Sequence, residues 1–209
     1  MLHKAADLGI EHAERELSMR PQTFARRKPI AQAIATALDE YSKSRAFWIT
    51  GIVKEEVLEK VRNYILWYTK MYPQYPVPGD QFTNNLKAII EDYLPKGANT
   101  AARAALIARN NVSDLYNYAR YATFTSPALQ GWVVAFMYSA IMDSRTTILC
   151  RSLNGRIFTK EDLQKSGLIP PNHHNCRSVL LPIQKNEDWY SSYTGQKPLR
   201  KNQKPQDGF

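Results

Sequence analysis

The stretch PPNHHNCRSVLLPI, residues 170–183, decides how the C-terminal half of the chain folds. Pro170 and Pro171 bar a helix and hold the backbone extended in front of a turn that carries two histidines and a cysteine. The apolar run RSVLLPI (177–183) then predicts the last strand of the chain. The turn itself has three interpretations: a metal site, a catalytic site, or a structural turn that holds reactive side chains.

The residues in front of this stretch predict a mixed α/β module. WVVAFMYSA (132–140) is β-branched and aromatic and is shorter than a typical globular helix, so it predicts a strand, and RIF (156–158) predicts a second, short one. SRTTILCRSL (144–153) predicts a helix with Asp143 as its N-cap. TKEDLQKSG (159–167) carries a capping signature, ends in a glycine and predicts another helix.

The first half of the chain predicts helices on both sides of a proline-rich break, YPQYPVPGD (72–80). Apolar residues recur at helical spacing in the segments 2–17, 29–49, 54–72, 81–94 and 101–122. The sequence therefore predicts an α+β fold with three parts. A helical region covers residues 1–98, a small mixed α/β module covers residues 99–184, and a flexible polar tail covers residues 185–209.

The composition indicates a globular and basic chain. Of the 209 residues, 44% are hydrophobic, and the net charge is +9 at pH 7. The positive charge favours anionic partners, nucleic acid first, although the basic residues form no long block. The chain has no apolar run of about 18 residues, and its charged first residues lack the apolar core of a signal peptide. We therefore expect no membrane partner and synthesis in a cytoplasm.

Cys150, His173 and Cys176 form the candidate metal site. His173 and Cys176 are three residues apart, a spacing that lets both side chains reach one ion from a turn, and Cys150 supplies a third ligand from the helix before it. Zinc, in a structural role, favours such sulfur and imidazole ligands in a tetrahedral set, with His174, Asp143 or water as the fourth. Two alternatives stay open: a reduced cysteine pair beside the turn, or a disulfide formed after release from the cell.

The chain carries no recognised enzyme motif: a Walker loop, G-x-G-x-x-G, H-E-x-x-H and G-x-S-x-G are all absent. A Cys150–His173 nucleophile pair, or a zinc ion with an open position for water, would need a positioned general base, and none stands out. We therefore expect a protein that is not an enzyme. The alternative is a zinc- or thiol-dependent hydrolase that uses Cys150, His173 and Cys176. Arg177 is expected to pair with Asp143 and to tie the turn to the helix.

Tyrosines are concentrated in two helical segments, RNYILWYTKMYPQYP (62–76) and DLYNYARYATF (114–124). Interleaved basic and aromatic side chains can stack nucleic-acid bases. At helical spacing they more often form core or a protein interface, in which Tyr and Trp are favoured. Of these readings, we favour the interface.

Four short motifs follow one another in the C-terminal half. They are IAR at Ile107–Arg109, D-x-R-T-x-x-x-C at Asp143–Cys150, L-x-G at Leu153–Gly155, and P-P-x-H-x-N-C-R at Pro170–Arg177. In this order they resemble the phage Mu F-like family of minor head proteins, also called head-morphogenesis proteins, of tailed bacteriophages. The resemblance assigns a structural role in the module to Arg109, Asp143, Arg145, Thr146, Gly155, Pro171 and Arg177.

The chain departs from the family pattern at two places. Family members often have Thr-Glu after IAR, where this chain has Asn110 and Asn111. They often have proline after the first motif histidine, where this chain has His174. The first departure argues against carrying a family role over to that face of the predicted helix over 101–122. The second adds His174 as a possible metal ligand.

The resemblance implies a structural virion protein that is present in few copies in the phage head and is assembled in the host cytoplasm. Its implied partners are the portal protein and a scaffolding or major capsid protein, met at the portal vertex during procapsid assembly. The net charge of +9 fits weak, salt-dependent and non-specific contacts with packaged DNA. A free DNA-binding protein is the lesser alternative.

Overall fold

The computed structural model describes residues 2–18, 80–93, 99–129 and 131–206, together with residues 56–57, 59–61, 63–64 and 67. The described positions between 56 and 67 are helical, as the pattern over 54–72 predicts. The predicted helix over 29–49 and the proline-rich break lie outside the described residues.

Three longer helices carry the described N-terminal part and lead into the module. They are α1 (Leu2–Ser18), α2 (Asp80–Ile90), which continues into a 3-10 turn (Glu91–Tyr93), and α3 (Thr100–Phe124). Helix α3 begins where the Asn99 side chain accepts a hydrogen bond from the backbone N–H of Ala102, at 3.0 Å. Both α1 and α2 pack against α3, so α3 is the helix that holds the other two together.

Helix α1 approaches α3 very closely. A Cβ added at Gly9 would lie 2.5 Å from the backbone oxygen of Tyr116, so only glycine fits there. Further along, Arg120 of α3 is 3% exposed, pairs with Glu16 of α1 at 2.8 Å and donates to the backbone oxygen of Leu180 at 3.1 Å. One guanidinium therefore joins α1, α3 and the strand that contains Leu180.

The module contains a three-stranded antiparallel sheet in the order β2–β1–β3. Its strands are β1 (Val133–Ser139), β2 (Ile157–Phe158) and β3 (Val179–Gln184). Phe136 pairs with Phe158, and Met137 pairs with both Ile157 and Leu181, so β1 is central. All three strands were predicted, with bounds that differ by up to two residues, and the α+β fold class is confirmed.

The module also contains three short helices: α4 (Ile148–Leu153), α5 (Lys160–Ser166) and α6 (Tyr190–Thr194). The predicted capping of α5 is present, because the Thr159 hydroxyl and the Asp162 carboxylate each accept a backbone N–H of the other residue. The predicted N-cap of α4 is wrong. Thr147 caps this helix, since its backbone is extended and its hydroxyl accepts from the N–H of Cys150, while Asp143 lies in the preceding turn.

The segment after β3 differs from the expected loosely held tail. It forms α6, and the Gln196 side-chain amide then bonds both backbone groups of Ile157 on the edge strand β2, at 2.7 and 3.0 Å. The backbone N–H of Gln206 donates to the carbonyl oxygen of Asn172 at 2.9 Å. These polar contacts, which hydrophobic periodicity does not detect, hold the segment together with the packing of Trp189 and Tyr193 against the core. The predicted domain boundaries themselves stay a prediction.

The core is shared by the helices and the sheet. Phe124 of α3 and Phe136 of β1 are buried with ring centroids 6.2 Å apart, and Leu163 of α5 is fully buried in the same cluster. Two tyrosines of α3 also contact other parts of the protein. The ring centroids of Tyr121 and Phe136 are 5.6 Å apart, and the Tyr116 hydroxyl hydrogen-bonds His12 of α1. Within the described residues, no helix has the length and apolar character that crossing a membrane requires.

Candidate metal centre

Residues 170–177, which we call the clasp, fold back over α4 and bring the three predicted ligands together. The Sγ atom of Cys150 lies 2.9 Å from His173 Nε2 and 3.8 Å from Cys176 Sγ. The three ligand atoms all lie within 4.8 Å of one another. Both cysteines are free and buried, at 2% and 5% exposure.

The geometry of the three atoms matches a tetrahedral zinc site at one edge and departs from it at another. With zinc bonds of about 2.3 Å to sulfur and about 2.05 Å to nitrogen, the sulfur–sulfur edge is about 3.8 Å and the sulfur–nitrogen edge about 3.6 Å. The observed sulfur–sulfur distance of 3.8 Å fits. The 2.9 Å distance from Cys150 to His173 fits a direct hydrogen bond and would open to admit an ion.

The backbone fixes which nitrogen of His173 faces the sulfurs. Nδ1 lies 2.9 Å from the carbonyl oxygen of His174. That oxygen can only accept, so Nδ1 carries the hydrogen and Nε2 points toward Cys150 and the Thr147 hydroxyl. A histidine that donates one ring N–H to a carbonyl is arranged to bind a metal through the other nitrogen.

The three side chains also change one another's protonation. Hydrogen bonding, first from Cys176 and then from His173, holds the pKa of the Cys150 thiol well below its ordinary value. The same contact with Cys150, together with burial, raises the pKa of Cys176. The contact with Cys150 raises the pKa of His173. Cys150 is therefore the sulfur that most readily becomes a thiolate, the form that binds metal.

Tyr138 and Asn172 support the site, and sequence reasoning did not identify either of them. The Tyr138 hydroxyl lies 3.3 Å from Cys150 Sγ, and the Asn172 Nδ2 donates to that hydroxyl at 2.8 Å. The Tyr138 hydroxyl therefore joins the Asn172 amide to the Cys150 sulfur. Burial is the main reason that the pKa of Tyr138 is raised, so the hydroxyl stays protonated.

The two protein candidates for a fourth ligand lie elsewhere. His174 Nδ1 accepts from Asn110 Nδ2 at 2.6 Å, and Asp143 faces Arg177. Within the described chain, the only such group of metal-ligating side chains is Cys150, His173 and Cys176. A cavity of about 10 Å³ adjoins Cys150 and His173, which is about the room that one water molecule needs. A single water molecule would fit this volume as a fourth ligand of a bound ion.

Asp143 joins the turn before α4 to the clasp. Its two carboxylate oxygens accept from Arg177 at 2.8 and 2.6 Å, the ion pair expected from the sequence. The Arg177 hydrogen bonds are the main reason that the pKa of Asp143 is lowered. Asp143 also accepts from the backbone N–H of Arg145 at 2.9 Å and from the Thr146 hydroxyl at 3.2 Å. These two motif residues therefore shape the turn that presents Asp143.

The remaining motif residues have separate positions. Arg109 of α3 donates to the Asn175 side chain at 3.1 Å, and Asn175 has a left-handed backbone with φ of 55°. Gly155 has φ of 77° and donates to the backbone oxygen of Tyr138 at 2.8 Å. Pro171 is buried, and its peptide bond with Pro170 is cis.

The two departures from the family pattern contact each other. Asn110 donates to His174, and its Oδ1 accepts from the backbone N–H of Asn175 at 2.9 Å. Asn110 therefore holds the clasp against α3. Asn111 is turned along its own helix, where its side chain donates to the backbone oxygen of Ile107 at 2.8 Å.

The chain is similar to a known protein family over about half of its length. Residues 79–181 match the family described as phage Mu protein F like protein. The matched range begins next to α2 and includes α3, β1, β2 and the whole clasp. Neither curated proteins nor solved structures provide a match to the chain. The region that holds the candidate metal centre therefore belongs to the phage Mu protein F-like family.

Proposed function

We propose that the protein is a minor head protein of a tailed bacteriophage and acts in head morphogenesis, at or near the portal vertex. The observation that carries the proposal is the family match over residues 79–181, which contains the ordered motifs and the clasp. Its partners in this proposal are the portal protein and a scaffolding or major capsid protein. Weak contact with packaged DNA is favoured by the net charge of +9.

Exposed apolar side chains beside the clasp support action through protein contacts. Ile141, Met142 and Ile148 are 55%, 49% and 86% exposed, and all three lie in the turn before α4 or at its first residue. Neighbouring exposed apolar residues of this size are frequent in protein interfaces. The tyrosines at 116 and 121 support an interface less, because they contact other parts of this chain.

The proposed metal role is structural. Cys150, His173 and Cys176 would hold one zinc ion, which would link α4 to the clasp and supply no chemistry beyond that cross-link. Both sulfurs are buried, and the cavity that borders Cys150, about 10 Å³ in volume, has no room for a substrate beside that sulfur. The hydrolase alternative shares these residues, and the lowered pKa of Cys150 beside His173 is the observation in its favour.

A phage lacking this chain tests the head role. We expect the deletion phage to form few or misassembled heads, with infectivity restored when the chain is supplied from a plasmid. Quantitative mass spectrometry of the restored particles should find a small, reproducible number of copies per portal ring. Normal assembly, packaging and infection without the chain would refute the role.

Cobalt binding tests the metal role separately. Co²⁺ bound by two thiolates and one imidazole should give one equivalent of a tetrahedral spectrum with thiolate charge-transfer bands, and Zn²⁺ should displace it. Cys176→Ser should lose that spectrum and melt at a lower temperature than the zinc-loaded chain. Ser152→Ala, an exposed change on the same helix as Cys150, is the control. A Cys176→Ser variant that keeps its melting temperature and loses a hydrolytic activity would favour the hydrolase.

A further inference from the structure

A groove of about 610 Å³ lies between α3, the turn before α4 and the clasp. Its described lining includes Arg109, Arg145 and Arg177 together with histidine, asparagine, serine, threonine and cysteine residues. Only one side of the candidate metal centre borders this groove, since Cys150 is not part of its lining.

Arginine dominates the charge of the groove. In the part of the chain that the structure describes, three guanidiniums line it and no carboxylate does. The Asp143 carboxylate accepts two hydrogen bonds from Arg177 and lies 3.8 Å from Arg145. The groove is therefore left with an excess of positive charge.

Two of the three arginines are available to a ligand. Arg109 is exposed and uses one N–H, its Nε, to reach Asn175 at 3.1 Å. The Arg145 side chain is 77% exposed, and its one ion pair among the described residues is with Asp143, at 3.8 Å. A guanidinium has five N–H donors, so both keep donors for an oxyanion. Arg177 instead donates two hydrogen bonds to the Asp143 carboxylate.

The chemistry of the lining selects the kind of anion. Among the residues that the structure describes, the lining contains no Trp, Tyr or Phe on which a nucleic-acid base would stack, and no aliphatic residue that would anchor a peptide. Arginine, asparagine and hydroxyl donors without an apolar anchor are the set that contacts the phosphates and sugars of a duplex, without reading its sequence.

We propose that this groove binds the phosphate backbone of duplex DNA through Arg109 and Arg145, without sequence preference. The proposal deepens the DNA contact suggested under the proposed function and rests on it for its setting in the phage head. It assigns that contact to one surface of the module rather than to the net charge of the whole chain.

Binding of a fluorescent duplex of arbitrary sequence tests the groove, with the full chain at 50 to 200 mM salt. The salt slope is the slope of the logarithm of the binding constant against the logarithm of the salt concentration. Each lost phosphate contact lowers its magnitude by about 0.9. If the contact contributes nothing at about 1 M salt, its loss lowers affinity about tenfold at 50 mM. The double variant Arg109→Gln/Arg145→Gln should therefore lower the slope by about 2 and the affinity about a hundredfold. Both side chains are exposed, and equal melting temperatures would verify folding.

Arg200→Gln/Lys201→Gln is the matched control, because it removes the same charge from exposed positions outside the groove. It should lower affinity far less than the groove variant. Equal losses in the two variants would overturn the proposal in favour of general charge. Stronger competition by polyglutamate than by unlabelled duplex would overturn it in favour of an acidic protein segment. If inorganic phosphate saturated the groove while the chain bound no DNA, the ligand would be free phosphate and the proposal of a nucleic acid would be overturned.

This test is independent of the head role. Unchanged DNA binding by the groove variant refutes the groove and leaves the head assembly experiment untouched. Normal heads in the deletion phage refute the head role, whatever the purified chain does with DNA.

Discussion

Replacing Arg120 by methionine should destabilise the protein more than any exposed charge change on the same helices. Arg120 is 3% exposed and is held by Glu16 at 2.8 Å and by the Leu180 carbonyl at 3.1 Å. Its guanidinium also lies 5.7 Å from the Tyr116 ring centre. Methionine fills most of the volume of the arginine side chain and removes every one of these polar contacts. The change therefore measures the loss of the charged group with little loss of packing.

The magnitude follows from what the substitution leaves behind. Removing one partner of a buried ion pair costs about 3–5 kcal/mol, since the other charge stays desolvated. The Glu16 side chain is 34% exposed, so water recovers part of its solvation, and we expect the lower end, about 3 kcal/mol. Glu16→Gln keeps an acceptor for Arg120 and should cost about 1.5 kcal/mol.

Urea denaturation followed by far-UV circular dichroism measures these free energies. With a slope of about 2 kcal/mol per M, Arg120→Met should lower the midpoint by about 1.5 M. The double variant with Glu16→Gln should cost at least about 1 kcal/mol less than the sum of the two single changes. Arg15→Gln is the control, because Arg15 forms an exposed pair with Glu11 on α1 and should cost less than about 0.5 kcal/mol.

Two results would refute this reasoning. A cost for Arg120→Met as small as that of Arg15→Gln would mean that the buried pair does not hold α1 to the rest of the molecule. Strict additivity of Arg120→Met and Glu16→Gln would mean that the two side chains act independently.

Three further predictions concern single side chains. Gly9→Ala should destabilise the chain by about 1–2 kcal/mol, although alanine favours helices, because its Cβ would meet the Tyr116 oxygen; a rise in melting temperature would contradict this. Asp143→Asn should destabilise at pH 7, and the difference from the unchanged chain should shrink steadily as pH falls below 3.8 toward the lowered pKa of Asp143. Arg177 lowers the pKa of Asp143 from its ordinary 3.8, so the contribution is present above that value and disappears as pH falls; urea midpoints between pH 2 and 7 measure it, and a constant difference would contradict it. Tyr138→Phe should weaken Co²⁺ binding about tenfold in a spectroscopic titration, since it removes the hydrogen bond to Cys150, and unchanged affinity would contradict it.

The ligands of the candidate centre could be predicted because their chemistry is visible in single residues. Cys150, His173 and Cys176 are rare side chains at a suggestive spacing, and the clasp does bring them within 4.8 Å. Tyr138 could not be predicted as their neighbour. In the sequence it is one more aromatic residue of a strand, and its role follows only from the face of β1 on which the register places it.

Polar contacts between distant segments account for most of what the sequence did not reveal. Thr147 and Asp143 are both good N-cap residues, and the choice between them depends on the turn that Arg177 fixes from 34 residues away. Gln196 holds the C-terminal segment with a side-chain amide, which leaves no periodic signal. Hydrophobic periodicity detected the strands and longer helices because burial of one face determines them.

The central position of β1 has a consequence for synthesis on the ribosome. Val133–Ser139 is the first strand to emerge, yet its partners are β2 and, after residues 140–178, β3. At roughly 5–20 residues per second, both edges of this apolar strand stay unpaired for seconds in the nascent chain. Unpaired apolar strands are templates for pairing with other chains. Translation that stalls before residue 179 should thus release fragments that aggregate, and chaperones that bind nascent chains should engage this protein between the emergence of β1 and that of β3.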